Sequence, residues 1–297
     1  MNKIIEIAEQ VFRIDSGVHG VNFAVTGGVH GNELTGIAVV RRLVEDFRSG
    51  ILQLEKGTLT LALCNLRAID QNTRGSEPLA DLNRCFSSAL LSGSQEGYEF
   101  ERARELAFVF EDVEIGLDLH ATNKPCTPFL YCQPMPTAAH ARMYRWLDVS
   151  AVLVDPLQVF GKGIPVALDE YFGQNGGVGL CYETGNAQDL SRVETVRSEV
   201  LHILRDQGLL GGTVPGVSVA LPQLYELTEE LLFPVGGNFV WSNGLGEYNF
   251  QPFALGQEIY VRNGVSYLAS HDGVILFPKP VNLIAEGYPV GYLARLM

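Results

Sequence analysis

His30-Gly31-Asn32-Glu33 sets an imidazole and a carboxylate three residues apart, directly after an apolar stretch and at the opening of a helical one. On a helical turn that spacing puts both side chains on one face, where they can converge on a single divalent ion. His120 closes a second apolar strand, 114–119, and in open α/β sheets ligands gather beyond the carboxyl ends of the strands. Two imidazoles and a carboxylate leave a fourth position for water, the composition of a catalytic zinc site. Each piece alone is weak, because a histidine after Gly-Gly is commonly a loop residue and His-x-x-Glu recurs by chance. The joint placement carries the metal reading. His19, His140, His202 and His271 lack it and are read as structural or surface residues.

Glu183 ends a third apolar strand before Thr184-Gly185. A carboxylate facing the same crevice can take a proton from water acidified by zinc and pass it to a leaving amine. The plainer alternative, that Glu183 merely precedes or caps the next helix, stays open on sequence alone. Asp118 shares side-chain parity with His120, and either supports that ring or is a carboxylate satisfied in the core. Asp81-Leu82-Asn83-Arg84, preceded by Arg74, supplies guanidinium forks and a neutral donor suited to an amino-acid carboxyl group. An arginine close to the metal could also polarise a scissile carbonyl.

These residues need elements to position them. Strand 21–26, helix 34–47, strand 58–64, helix 98–111, strand 114–119, strand 129–132, helix 137–147, strand 151–154, strand 177–183 and helix 187–207 follow in order. Near-continuous apolar strands alternating with helices predict an α/β layered domain around a parallel or mixed sheet. Beyond 208–212 the pattern turns to short strands at 217–226, 258–262, 265–269, 274–277 and 288–293, punctuated by Gly, Pro and Asn-Gly. The expected division is a catalytic domain over 1–210 and a β-rich C-terminal domain over 211–297.

Composition bounds the function. With 46% hydrophobic and 19% charged residues, the 297-residue chain has globular character and enough length for a substantial core. A net charge of −13 opposes nonspecific association with nucleic acid or anionic membrane. No apolar run approaches the ~20 residues of a membrane span and the N-terminus does not resemble a signal, so the expectation is a soluble cytoplasmic protein. The five cysteines have no C-x-x-C spacing and suggest neither a disulfide framework nor a cysteine metal site. Small molecules are the expected partners; homo-oligomerisation is left open.

Three blocks in order, 27–36, 81–86 and 117–122, together with Arg67-Ala68-Ile69-Asp70 and Thr73-Arg74, resemble the succinylglutamate desuccinylase/aspartoacylase family, zinc hydrolases related in fold to the zinc carboxypeptidases. The resemblance covers most of the first ~210 residues, and Glu286-Gly287-Tyr288 fits the family's C-terminal β region. It implies one zinc per chain on His30, Glu33 and His120, Glu183 as catalytic carboxylate, Arg74 near the scissile carbonyl, and Asn83 and Arg84 at the α-carboxylate of an N-acyl amino acid. It further implies Tyr288 in that pocket, with Tyr292 as competitor. One departure concerns substrate: aspartoacylases carry an arginine about ten residues before the glutamate, where this chain has Gly173, with Asp169 and Glu170 nearby. Like charge there predicts non-aspartate specificity, unless Lys124 or Lys162 replaces the missing cation. The competing readings are a metallocarboxypeptidase-like peptidase and a non-catalytic relative that binds a small ligand.

Overall fold

The computed structural model describes residues 2–133, 135–160, 166–174, 176–214 and 222–297. Its strands are β1 (Lys3–Ala8), β2 (Val11–Asp15), β3 (Asn22–Gly27), β4 (Thr58–Leu63), β5 (Ile115–Thr122), β6 (Phe129–Cys132), β7 (Ala151–Val154) and β8 (Val178–Asn186). They continue with β9 (Gln223–Leu232), β10 (Phe239–Trp241), β11 (Gln251–Phe253), β12 (Glu258–Arg262), β13 (Val265–Leu268), β14 (Gly273–Leu276) and β15 (Pro289–Leu296). The helices are α1 (Leu34–Arg48), α2 (Leu66–Gln71), α3 (Ser88–Leu91), α4 (Tyr98–Val109), α5 (Ala138–Tyr144), α6 (Leu168–Gln174) and α7 (Val193–Asp206). No helix among the described residues is long and apolar enough to cross a membrane.

Among the described residues, twelve strands join one mixed sheet in the order β1-β2-β4-β3-β5-β8-β6-β7-β9-β15-β14-β11. The centre, β4-β3-β5-β8, is parallel. These strands are buried on both faces, which is why they read as apolar runs without alternation. Phe23, Val25, Leu117, Leu119, Leu180 and Tyr182 point to the layer formed by α1, α5 and α7. Ala24 and Ala62 point the other way, toward α4 and α6. Helix α1 buries Gly36, Val40, Leu43 and Phe47, a 3.6-residue stripe. Each fully buried Leu or Phe of this kind contributes roughly 1.5–3 kcal/mol.

The α/β/α architecture and mixed sheet agree with the sequence. The C-terminal strands do more than expected, because β9, β15, β14 and β11 extend the large sheet and, among the described residues, only β10-β12-β13 form a separate three-stranded sheet. The strand expected over 217–226 lies partly outside the described residues; β9 begins at Gln223. The helix expected from 187 starts at Val193. Asn186 and Asp189 instead accept the N–H groups of Gln188 and Ser191, local turns that compete with helix.

Candidate active site

Parallel pairing of β5 and β8 places Gly116 opposite Gly179, Asp118 opposite Cys181 and His120 opposite Glu183. These side chains share one face, and the ladder orders them in rows from the strand starts to the carboxyl ends. Helix α6 seats on the lowest row. A Cβ at Gly116 would meet the Phe172 ring at 2.0 Å, and one at Gly179 would meet the Asp169 carbonyl oxygen at 1.8 Å. The two glycines thus create the notch that lets α6 lie against the sheet while leaving the top row open.

The first two ligand candidates arrive from the β3–α1 connection. His30 and Glu33 sit in a turn, not on a helix as the spacing suggested: Glu33 N–H donates to the His30 carbonyl at 3.3 Å and Glu33 is the N-cap of α1. The turn is wedged against α2, where a Cβ on Gly31 would lie 1.9 Å from the Ala68 carbonyl carbon. Glu33 Oε2 accepts the Ala121 N–H at 2.9 Å, which ties the turn to the end of β5.

His30 Nδ1 lies 2.7 Å from Glu33 Oε1, and His120 Nδ1 lies 3.0 Å from Glu33 Oε2. Ligand atoms of all three buried residues lie within 4.8 Å of one another. Each imidazole turns its Nε2 to an aspartate: His120 to Asp118 at 2.7 Å, His30 to Asp81 at 3.0 Å. Thr26 Oγ1 donates to the other Asp118 oxygen at 2.6 Å. The carboxylate–imidazole pairs fix ring orientation and leave both Nδ1 atoms to face inward, the arrangement a divalent metal requires. Burial opposes charge on Glu33, yet the two imidazoles hold it well below the usual carboxylate range. Burial likewise disfavours charged His120, but Asp118 and Glu33 lift it well above the ordinary histidine value.

Glu183 completes the top row. It lies within β8, so it caps no helix, and its Oε2 is buried without a partner. Burial and then the Glu33 charge push its carboxyl up to about 8, against the pull of His120 and Arg74. A carboxyl of that kind beside residues that could hold a metal ion is suited to taking up and returning a proton.

Arg74 donates to Asp81 Oδ2 at 3.0 Å and feels the charges of Asp81, Glu33 and Glu183, which raise its pKa against desolvation. Asn83 is buried, and its Oδ1 accepts the Leu168 N–H at 2.9 Å, leaving the amide NH2 to donate elsewhere. The Arg84 guanidinium stacks on Phe160 at 4.4 Å. Phe160 packs on Tyr292, which packs on Phe277. Tyr292 is buried and its hydroxyl donates to Glu230 at 3.1 Å. Tyr288 is 44% exposed, and its backbone pairs with Phe233 and Ala285. Of the two tyrosines considered from sequence, Tyr292 is therefore the one joined to the Arg84 wall.

Two residues unassigned from the sequence stand out. Asp81 supports His30 from 51 residues away, and nothing but its presence beside Asn83 and Arg84 could have pointed to it. Lys279 follows β14; desolvation in the cleft, with Arg74 and Arg84 close by, pushes its ammonium down to about 8 although the side chain reaches solvent. Among the described residues neither Arg84 nor Lys279 forms an ion pair.

Of the two parts of the premise for non-aspartate specificity, the structure removes the role given to Gly173, whereas Glu170 lies close enough to feel the Arg84 charge and keeps Oε1 buried without a partner. Gly173 lies at the end of α6 beside the start of β8, with nothing within 4 Å of a Cβ built on it. Five strand residues, about 16 Å, separate that level from Glu183. Asp169 is enclosed in the layer beneath His120, its carboxyl pushed up to about 8 by burial, Glu170 and Asp118. Glu170 Oε2 accepts the N–H groups of Val166 and Ala167. Lys124 is in the β5–β6 loop, where its carbonyl accepts from Thr122, and Lys162 falls outside the described residues.

The chain is similar to a probable aspartoacylase of Nostoc sp. (strain PCC 7120), 36% identical over 106 residues, 34% of this chain and 35% of that protein. It is similar to an N-acyl-aromatic-L-amino acid amidohydrolase (carboxylate-forming) of Xenopus laevis, 33% identical over 106 residues and 33% of each chain. The alignments span about a third of the length of these curated relatives. The fold matches that of a succinylglutamate desuccinylase from Vibrio parahaemolyticus with a TM-score of 0.77, 15% identity and coverage of 100% of this chain and 92% of the other. A profile of the succinylglutamate desuccinylase/aspartoacylase catalytic domain matches residues 19–203, more than half of the chain and the whole His30, Glu33, His120 and Glu183 group. The chain belongs to the succinylglutamate desuccinylase/aspartoacylase family.

Proposed function

We propose that the chain is a zinc-dependent deacylase that hydrolyses the amide of an N-acyl amino acid, releasing a carboxylate and the free amino acid. The observation that carries this reading is the buried, unpartnered Oε2 of Glu183 beside the His30, Glu33 and His120 group. That donor set fits zinc, with one ion held by two Nδ1 atoms and the Glu33 carboxylate. When bound, zinc supplies Lewis acidity and lowers the pKa of water to ~7.

The chain's own groups account for the rest. Glu183 accepts the proton of the attacking water and returns it to the departing amine nitrogen. Arg74, held by Asp81, faces negative charge developing on the scissile carbonyl oxygen. Arg84 and the Asn83 NH2 receive the α-carboxylate, with Tyr292 behind Arg84 across Phe160. Lys279 adds a second unpaired cation to the anionic end of the substrate. The names of the relatives, a probable aspartoacylase and a carboxylate-forming amidohydrolase, support the reaction class.

The test is to assay zinc-loaded protein against a panel of N-acyl amino acids and short peptides, beside a Glu183→Gln variant. Wild type is expected to cleave N-acyl amino acids, and the variant to lose about 10²–10⁴-fold in kcat at unchanged zinc content. Full turnover by the variant, cleavage of peptides alone, or an inert wild type would each refute the proposal.

A further inference from the structure

Arg74 lies in an irregular loop, and what holds that loop is not in the active site. The segment from Asn65 to Ser76 contains α2, closes with Asn72 in a left-handed conformation at φ 53°, and carries Arg74 two residues later. Helix α4 grips it through its first turns. Tyr98 Oη accepts the Leu66 N–H at 3.1 Å, and Arg102 Nε donates to the Cys64 carbonyl at 2.8 Å. Between them, Glu99 Oε1 accepts both the Asn65 Nδ2–H at 3.3 Å and the Ser76 N–H at 2.8 Å. Of these three side chains, Glu99 alone bonds both ends of the segment that presents the arginine.

Glu99 is buried, and among the described residues it forms no ion pair. Its position in the first turn of α4 stabilises a carboxylate there through the helix dipole. The bonds it makes continue into the site on both sides. Asn65 N–H donates to the Gly28 carbonyl and Asn65 Oδ1 caps α2, against which the ligand turn at Gly31 is wedged. Beyond Ser76 the loop doubles back so closely that a Cβ on Gly75 would stand 1.9 Å from the Ala80 carbonyl oxygen. Arg74 then meets Asp81, which in turn orients His30.

Resting on the deacylase reading above, we infer that Glu99 is a positioning residue for Arg74: it clamps the two ends of the 65–76 segment and so aims the guanidinium at the reacting carbonyl. Glu99 itself touches no ligand candidate; of its two bonds, the one to Ser76 N–H reaches the site through Arg74, and the double-mutant cycle isolates that route.

The decisive experiment is a double-mutant cycle in the zinc-loaded enzyme, with Glu99→Ala, Glu99→Gln and Arg74→Ala, together with a crystal structure of Glu99→Ala. A misplaced guanidinium is expected to lower kcat by about 10–100-fold in Glu99→Ala, with KM and zinc content unchanged. Glu99→Gln keeps the accepting oxygen and restores most of kcat. In the Arg74→Ala background, Glu99→Ala adds no further loss, whereas a merely structural role would multiply the two. The crystal structure is expected to show Arg74 detached from Asp81. Independent effects in the cycle, or an intact Arg74–Asp81 contact in the variant, would overturn the inference. An inert wild type would instead sink the deacylase reading, and the crystal structure of the variant would then decide the role of Glu99 by itself.

Discussion

Replacing Asp118 should weaken metal binding by an amount that depends on what replaces it. Asp118 is fully buried, and its two oxygens are committed to His120 Nε2 at 2.7 Å and Thr26 Oγ1 at 2.6 Å. In Asp118→Asn the amide oxygen still accepts from His120, and the Thr26 hydroxyl can rotate to accept from the new NH2 group. The loss is then the difference between a charge-assisted bond of about 1.5–3 kcal/mol and a neutral one of about 0.5–1.5 kcal/mol. About 1.4 kcal/mol is tenfold in affinity, so the asparagine variant should bind zinc about tenfold more weakly. Asp118→Ala strands both donors and frees the ring to turn, so affinity should fall by about 100-fold. The metal-free protein should also lose roughly 2–4 kcal/mol of stability. Chelator-competition titration measures the first quantity and denaturant unfolding the second. Zinc affinity within about twofold of wild type in the asparagine variant would show that Asp118 does not orient the ligand.

Two further outcomes follow from the packing. Gly179→Ala drives a methyl group into the Asp169 backbone and should displace α6, costing about 3 kcal/mol. A thermal melt should register a Tm lowered by roughly 5–10 °C, and an unchanged Tm would mean the notch is not needed. Arg84→Lys keeps the charge but loses the flat stack on Phe160 and the fork, so KM should rise roughly 10- to 100-fold while kcat changes little. Steady-state kinetics with an N-acyl amino acid checks this, and an unchanged KM would place the substrate carboxylate elsewhere.

The convergence of His30, Glu33 and His120 was legible because three conditions coincided: side chains of ligand type, an apolar strand before each histidine, and strand ends that a parallel sheet brings to one edge. The placement of Glu183 opposite His120 was legible for the same reason. Asp81 was not, because its partner is 51 residues away and a loop has no periodicity to read. The His30–Glu33 spacing suggested a helix, whereas the Gly31 contact with Ala68 holds a turn there, and only tertiary packing reveals it. Helix α6 has seven residues, too few for a 3.6-residue pattern to emerge, so the notch of Gly116 and Gly179 was invisible and Gly173 was credited with a pocket it does not reach. In the last third of the chain the strands at 258–262, 265–269, 274–277 and 288–293 were visible, the three-residue β10 and β11 were not, and no partner could be read for any of them. Pairing of β9 with β7 joins residues about 70 positions apart, a register set by three-dimensional packing.

That pairing has a mechanical result. Tyr292 belongs to a strand laddered to β9, then to β7, β6 and β8, the strand that holds Glu183, and Lys279 N–H donates to Val290 on the same strand as Tyr292. The strand that carries Glu183 and the strand that carries Tyr292 are thereby joined in one continuous fabric of backbone hydrogen bonds, whereas Arg74, Asn83 and Arg84 sit on connections outside that ladder. Any adjustment of the site to a bound molecule therefore falls first to those connections, because separating the strands would break ladder bonds.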